Sequence, residues 1–551
     1  MSFQWDHGYA FDPNYKKRVA YFCMEYGIDH ALKNYAGGLG FLAGSHCKSA
    51  YDLKQPMVGI GILWKHGYYS QIRKSDQSME VLFEEKRYAF LEETNLRFTI
   101  NISKHEVWVT AYYLPPNVFN TIPIFFLSTD LKENDYLAQT ISQKLYDSNP
   151  ETSIAASILL GVGGAKLLEL IGWEPECYHL NESHALPLAY YLFRRHHHQK
   201  SEISKRLVFT NHTPEEAGNR FYEVSLLKKM GFFLDLEQAE IDELSVIKDC
   251  RLDLSLTAFN LSAKSNAVST LHRNTMVKKW TIDQKDTRLI SITNAQHANF
   301  WKDDLLFEYM EKNDLNGMLQ LKKKRKQRLL EYVADQSGKI FKENVCTIVF
   351  AKRFAGYKRP DIFFHEMDHF VRFISNKEMP VQLIWAGKPY PMDYNGIGMF
   401  DKIVNLCKAY PNCAILVGYE MAMARWLKSG ADIWLNVPRL YHEACGTSGM
   451  TAAMNGAINV AIPDGWYAEF AEDEKNGFII PTCDTHLSDD VQDDLDAASL
   501  YHVLEKKAVP MYYQLPMDWA AMMKKAMQDI IPAFDSARLA KAYYENLYSE
   551  P

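Results

Sequence analysis

Val345-Cys346-Thr347-Ile348-Val349-Phe350-Ala351 runs directly into Lys352-Arg353-Phe354-Ala355-Gly356-Tyr357-Lys358-Arg359-Pro360. An apolar, β-branched run of this length reads as a fully buried strand, and the glycine and proline beyond it mark its end. In an open α/β sheet, ligands bind outside the carboxyl ends of the strands. Four cations gathered at such an end must repel one another or share an anion. Arg353 can grip phosphate oxygens bidentately, and Lys358 can add a point charge.

The same grammar continues outward from this stretch. Strands are expected at 381–386, 413–417, 433–436 and 457–462, each followed by a turn and then a helix-like segment such as 421–429. That pattern is a doubly wound α/β domain. The first half repeats it less cleanly, with strands at 19–24, 57–63, 206–210 and 289–293 and helices at 39–53 and 184–197. The junction is expected at 322–338, where Lys322-Lys323-Lys324-Arg325-Lys326 lies in a helix whose apolar side is Leu315, Leu319, Leu329, Leu330 and Val333. The basic run reads as a solvated helix face at the domain boundary. His196-His197-His198 reads as a solvated helix end, because adjacent helical residues point in different directions and cannot converge on one metal.

Composition excludes more than it assigns. The 551 residues are 47% hydrophobic and 23% charged, enough for large cores in two to four domains. A net charge of −7 gives no general attraction to nucleic acid or anionic lipid. Nine cysteines are scattered without a C-x-x-C pair, which suits reduced buried thiols better than a disulfide or zinc framework. The N-terminal residues lack a basic start followed by an apolar stretch, and no run of about 18 apolar residues occurs. A soluble, cytoplasmic protein without metal, membrane or nucleic-acid partners is expected.

Two further segments suit an anion. Asn34-Tyr35-Ala36-Gly37-Gly38-Leu39-Gly40 leads into a helix; its glycines admit a close ligand, and free amides at the helix start favour negative charge. Glu443-Ala444-Cys445-Gly446-Thr447-Ser448-Gly449-Met450 offers amides, hydroxyls and another helix start, with Glu443 as an acceptor for hydroxyl groups.

Together these segments resemble the α-glucan (glycogen, starch or maltodextrin) phosphorylases, especially their short bacterial and archaeal form. The likeness includes Tyr21-Phe22-Cys23-Met24-Glu25-Tyr26-Gly27, Val58-Gly59-Ile60-Gly61-Ile62-Leu63, Gly67-Tyr68-Tyr69, His179-Leu180-Asn181-Glu182-Ser183-His184 and Thr210-Asn211-His212-Thr213-Pro214. The resemblance implies a GT-B fold, two Rossmann-like α/β domains facing across a cleft. On that reading the domains are 1–335 and 336–525, and a helical segment 526–551 packs back on the first. It implies that Arg353 and Lys358 bind the reacting phosphate, while Gly446 and Thr447 help cradle a phosphate group, with Lys352 and Tyr357 nearby. Gly37, Gly38 and Gly40 present amides. Glu443 and His184 hold the sugar, with Asn181 and Glu182 beside them. The main-chain carbonyl of His212 faces the anomeric carbon.

The sequence departs from the family immediately after Met450. There the phosphorylases carry the lysine that forms a Schiff base with pyridoxal phosphate; here stands Thr451, which has no amine. Ala295 and Gln296, and the segments Lys388-Pro389-Tyr390-Pro391 and Val417-Gly418-Tyr419-Glu420-Met421, are also modified. Three readings stay open. One is a retaining hexosyltransferase without covalent pyridoxal phosphate, moving a hexosyl unit between a phosphate-activated donor, a nucleotide sugar among the candidates, and a glucan or other acceptor. The second is a phosphorylase with a loosely held cofactor, producing glucose 1-phosphate. The third is a non-catalytic glucan-binding regulator. A homo-oligomer is compatible with all three.

Overall fold

The computed structural model describes residues 3–213 and 218–549. Pro214, the last residue of the quoted Thr210 segment, lies outside them, as do Met1 and Ser2. The chain forms two compact units. The first comprises Met1–Tyr69, Phe83–Asn294 and Ser536–Pro551, and the second Ser70–Leu82 and Ala295–Asp535.

The first unit is built on a mixed sheet. Seven parallel strands lie side by side as Leu289–Ser291, Lys264–Ala267, Leu207–Thr210, Cys177–Asn181, Val19–Phe22, Met57–Ile62 and Ile124–Ser128. His105–Leu114 continues the sheet antiparallel and pairs with the short strands Phe98–Ile102 and Glu92–Glu93. Numbered along the chain, the seven parallel strands run 7-6-5-4-1-2-3, so the order reverses between Val19–Phe22 and Cys177–Asn181. The central strands are buried throughout and read as continuous apolar runs for that reason. The continuous helix Pro150–Leu170 is long and apolar enough to cross a membrane, but 83% of its apolar window is buried inside the protein. It is a core helix.

Residues 536–549 complete this unit. The Ser536 hydroxyl lies 2.6 Å from that of Ser49, the Gln55 amide donates to the Ala540 carbonyl at 3.2 Å, and the Tyr548 hydroxyl meets His179 Nδ1 at 2.8 Å.

The second unit has a wholly parallel six-stranded sheet, in the order Cys413–Leu416, Val381–Ala386, Cys346–Ala351, Ile433–Asn436, Ile458–Ala461, Phe478–Ile479. Numbered along the chain this is 3-2-1-4-5-6, the doubly wound dinucleotide-fold order. The reversal falls between Cys346–Ala351 and Ile433–Asn436. The hairpin Ser70–Arg73 and Met79–Leu82 belongs to this unit, held by Gln71, whose amide donates to the Gly387 carbonyl at 3.1 Å and accepts from the Gly418 amide at 3.0 Å.

Two expectations need correcting. The division falls at 294/295 and 535/536, not at 335/336 and 525/526. The reason is the helix Leu315–Ser337, whose Leu329, Leu330 and Val333 pack with Val349, Ile384, Leu427 and Trp434 in the core of the second unit. The basic run on that helix is a solvated face only at Lys323 and Lys324. Lys322 and Lys326 are 4% and 2% exposed. Lys322 Nζ donates to the carbonyls of Ser429 at 2.7 Å and Asn455 at 2.8 Å, and burial pushes its pKa down to about 7. Lys326 forms a buried ion pair with Asp432, and Arg325 a partly exposed one with Asp303. The histidine cluster does sit at a helix end, beyond Arg195, with His197 and His198 exposed. Seven of the nine cysteines are buried.

Candidate functional site

In each unit most of the expected site residues collect at the carboxyl ends of the strands flanking the reversal point, where open α/β sheets bind ligands, and His212 follows the adjacent strand Leu207–Thr210. In the first unit Glu25 follows Val19–Phe22, and its buried carboxylate organises the glycine loop. Oε2 accepts from the amides of Ala36 at 2.7 Å and Gly37 at 3.1 Å, and Oε1 accepts from the Tyr146 hydroxyl at 2.7 Å. The Gly37 amide is thus already engaged with an internal anion. A Cβ at Gly40 would lie 2.6 Å from the Tyr35 Cβ and 2.7 Å from Glu25 Oε2, so only glycine lets the loop close over this carboxylate. Gly37 and Gly38 face open space, and Gly38 is exposed at the start of the helix Gly38–Asp52.

Across the reversal point, Asn181 and Glu182 end the strand Cys177–Asn181. Glu182 Oε1 accepts from the His212 amide at 2.5 Å, while no described residue bonds its buried Oε2. Burial raises this carboxyl to about 8, against the pull of two backbone amides. Glu182 also has φ 70 and ψ 166, a left-handed, extended conformation that side-chain-bearing residues seldom adopt. The Asn181 side-chain oxygen meets His212 Nε2 at 2.6 Å, and the Asn294 amide lies 3.4 Å from His212 Nδ1. That network places the ring proton on Nε2. Burial lowers both His212 and His184 to about 3, so both are neutral rings. The His184 ring stands 5.8 Å from that of Tyr146, which also bears on the Arg220 guanidinium at 6.0 Å. His184, Tyr146, Glu25 and the glycine loop therefore form one cluster. His212, Asn181, Glu182 and Asn294 form a second, joined to the first by Cys23, whose thiol donates to the Glu25 carbonyl at 3.0 Å and accepts from the Asn181 amide at 3.1 Å.

In the second unit, Lys352 to Arg359 leave the strand Cys346–Ala351. Arg353 is exposed. Lys358 forms a buried ion pair with Glu443, from the loop after Ile433–Asn436. Burial opposes both charges, but each holds the other: the Lys358 pKa is raised and that of Glu443 lowered. Tyr357 lies against Lys358, its ring centroid 4.9 Å from Nζ. Lys352 Nζ donates to Ser448 Oγ at 2.6 Å; burial, and then the charge of Lys358, bring its pKa down to about 7. Gly446, at φ 73, turns the chain so that Thr447 precedes the short helix Ser448–Ala453. The fourth cation does not join this group. Arg359 is spent internally on Asp493 at 3.0 Å, Asp496 at 2.8 Å and the carbonyls of Val437 and Pro438.

Thr451 is buried in the helix Ser448–Ala453, with its hydroxyl turned back to the Ser448 carbonyl at 3.1 Å. Reading the sequence also overlooked Glu25, Tyr146, Arg220 and Asn294 in the first unit. In the second it overlooked Asp464, which accepts from the Glu443 amide at 3.0 Å and which burial raises to about 7. Glu25 carried a signal, an acidic residue just past a buried strand. Tyr146 and Arg220 carried none.

Residues 296–506 match the family model described as carbohydrate phosphorylase. An uncharacterized protein of Methanocaldococcus jannaschii is 40% identical over 97% of this chain and 100% of its own length. Maltodextrin phosphorylase of Thermococcus litoralis is 31% identical, covering 98% of this chain and 71% of its own. Glycogen phosphorylase of Aquifex aeolicus is 28% identical, with 98% and 87% covered. Two sheets with the same reversal, each delivering polar residues at that point, agree with these matches, and the chain belongs to the carbohydrate phosphorylase family of hexosyltransferases.

Proposed function

We propose that the chain is an α-glucan phosphorylase-type enzyme, moving a glucosyl unit with retention between an α-glucan and phosphate. The observation that carries this reading is the buried Lys358–Glu443 pair beside Lys352, at the reversal point of the second sheet. An incoming phosphate meets there a lysine already charged and already oriented, so little reorganisation is needed. The reading takes the two units as the facing halves of a GT-B enzyme, and places the protein in the cytoplasm.

Retaining transfer needs no carboxylate nucleophile when the leaving and attacking oxygens share one face of the sugar. Arg353 and Lys358 hold the reacting phosphate, Glu443 and His184 orient the sugar hydroxyls, and Asn181 and Glu182 support His212. The His212 carbonyl faces the positive charge that grows at the anomeric carbon. Gly38 and Gly40 lend the dipole at the start of their helix.

The family's cofactor fits this chain at one end. Lys352, Ser448, Gly446 and Thr447 suit its phosphate, which when bound serves as a proton-handling neighbour of the substrate phosphate. Position 451 does not suit its aldehyde, because the Thr451 hydroxyl offers no amine and is tied to its own helix. That mismatch favours a second reading, in which the distal phosphate of a nucleotide sugar fills the same cradle. A donor screen separates the two. Glucose 1-phosphate with pyridoxal phosphate is expected to support glucan extension; turnover with nucleotide sugars alone overturns the phosphorylase reading. Arg353→Ala and Lys358→Ala are expected to abolish transfer with either donor, and undiminished turnover removes them from the mechanism.

A further inference from the structure

Position 451 lacks an amine, but the helix packed beside it supplies one. Lys428 lies on Met421–Gly430, is 1% exposed, and follows Leu427, which shares a core cluster with Ala452 of the helix Ser448–Ala453. The two backbones are held together. Lys322 Nζ donates to the carbonyls of Lys428 at 3.3 Å and Asn455 at 2.8 Å, and the Asn455 amide donates to the carbonyls of Thr451 at 2.7 Å and Trp301 at 2.9 Å. Lys428 Nζ stands 3.8 Å from the centroid of the Trp301 ring. The amine therefore sits over an aromatic ring whose backbone shares the Asn455 amide with that of Thr451.

Lys428 is also near the phosphate cradle. Lys352, anchored on Ser448, is close enough that its charge disfavours a second charge at Lys428. Burial is the larger cause, and the nearby Arg425 adds to it; together they hold the Lys428 pKa well below that of an ordinary lysine. A lysine whose charged form is disfavoured in this way more readily supplies a nucleophilic amine. A phosphate group at one end, an apolar aromatic surface and such an amine at the other are what a phosphorylated aromatic aldehyde requires.

We propose that Lys428 is the residue that binds the aldehyde of pyridoxal phosphate covalently, replacing from the neighbouring helix the amine that position 451 lacks; the inference rests on the phosphorylase reading above. The neutral amine adds to the aldehyde carbon, C=O becomes C=N, and the carbonyl oxygen leaves as water with the two amine protons. No oxidant or reductant takes part.

The test is to incubate the full chain with equimolar pyridoxal phosphate, reduce with borohydride, digest, and locate the pyridoxyl adduct by mass spectrometry. A stoichiometric adduct on the Lys428 peptide is expected, with an imine absorbance band before reduction. Lys428→Met and Lys428→Arg are expected to lose both while keeping the circular dichroism of the parent, and Lys428→Met combined with Thr451→Lys to regain an adduct at position 451. No adduct in the parent chain, an adduct confined to Lys352 or surface lysines, or a band that persists in both Lys428 variants overturns the proposal. Trapping reads the cofactor site independently of turnover. An adduct at Lys428 without glucose 1-phosphate turnover sinks the functional reading alone, and cofactor-dependent turnover without that adduct sinks this inference alone.

Discussion

The two units place their polar residues at the same point of the same strand order, yet they solve opposite electrostatic problems there. In the first, buried carboxylates are met by backbone amides: Glu25 by Ala36 and Gly37, Glu182 by His212. In the second, buried amines are met by a hydroxyl and a carboxylate: Lys352 by Ser448, Lys358 by Glu443. Topology selects where a site forms, and the side chains select the charge it accepts.

The contrast breaks hardest at Arg359, which is tied into the second unit's scaffold by Asp493 and Asp496. Arg359→Met leaves Asp496 buried without its cation, while Asp493 keeps Arg439, and is expected to lower unfolding free energy by about 3–5 kcal/mol, read from the denaturant midpoint. A loss below 1 kcal/mol, on the order expected of an exposed pair, overturns that assignment.

Glu25→Gln probes the first unit. The amide keeps the shape but loses the charge that Ala36, Gly37 and Tyr146 address, and a stability loss of about 1.5–3 kcal/mol is expected, with faster hydrogen exchange in the glycine loop. Unchanged exchange means the loop is held by packing alone.

Glu182 and Lys322 should contribute oppositely to the pH dependence of stability. Glu182 has its folded pKa raised to about 8, so the folded state binds the extra proton and stability falls as pH rises from the ordinary carboxyl range towards 8. Lys322 has its folded pKa lowered to about 7, so the unfolded state binds the extra proton and stability rises from pH 7 towards the ordinary lysine range. Each contributes a slope of at most about 1.4 kcal/mol per pH unit. Glu182→Gln is expected to flatten the first slope and Lys322→Met the second in thermal unfolding followed across pH. A variant that flattens the other limb reverses the assignment.

The smallest effect belongs to Thr451→Val. It removes one hydroxyl bonded within its own helix, and a cost of about 0.5–1.5 kcal/mol is expected from chemical denaturation. A markedly larger cost shows that the hydroxyl supports more than its own turn.

What the sequence disclosed followed from burial on both faces of a strand. Cys346–Ala351, Val381–Ala386 and Met57–Ile62 are apolar from end to end, and their expected positions agree with the structure to within a residue. Lys264–Ala267 reads Lys-Ser-Asn-Ala and has no strand signature; its place between two other strands makes it one. Charge was the least legible property. Five consecutive cations read alike whether they face water or carbonyls, which is why Lys322 and Lys326 were misplaced. The α-glucan phosphorylase motifs revealed Lys352, Lys358 and Glu443. No motif reveals Lys428, whose significance depends on which helix lies beside it.

Residues 536–549 belong to the first unit although the whole of 295–535 precedes them in the chain. During synthesis, the seats for Ser536, Ala540 and Tyr548 must wait, already shaped by residues 45–55 and 179, while the other unit emerges from the ribosome and collapses. The first half made is thus the last to be finished, and a chain whose second unit has closed before residues 536–549 reach their seats carries one closed body and one with an open seam, a natural place for a chaperone to hold.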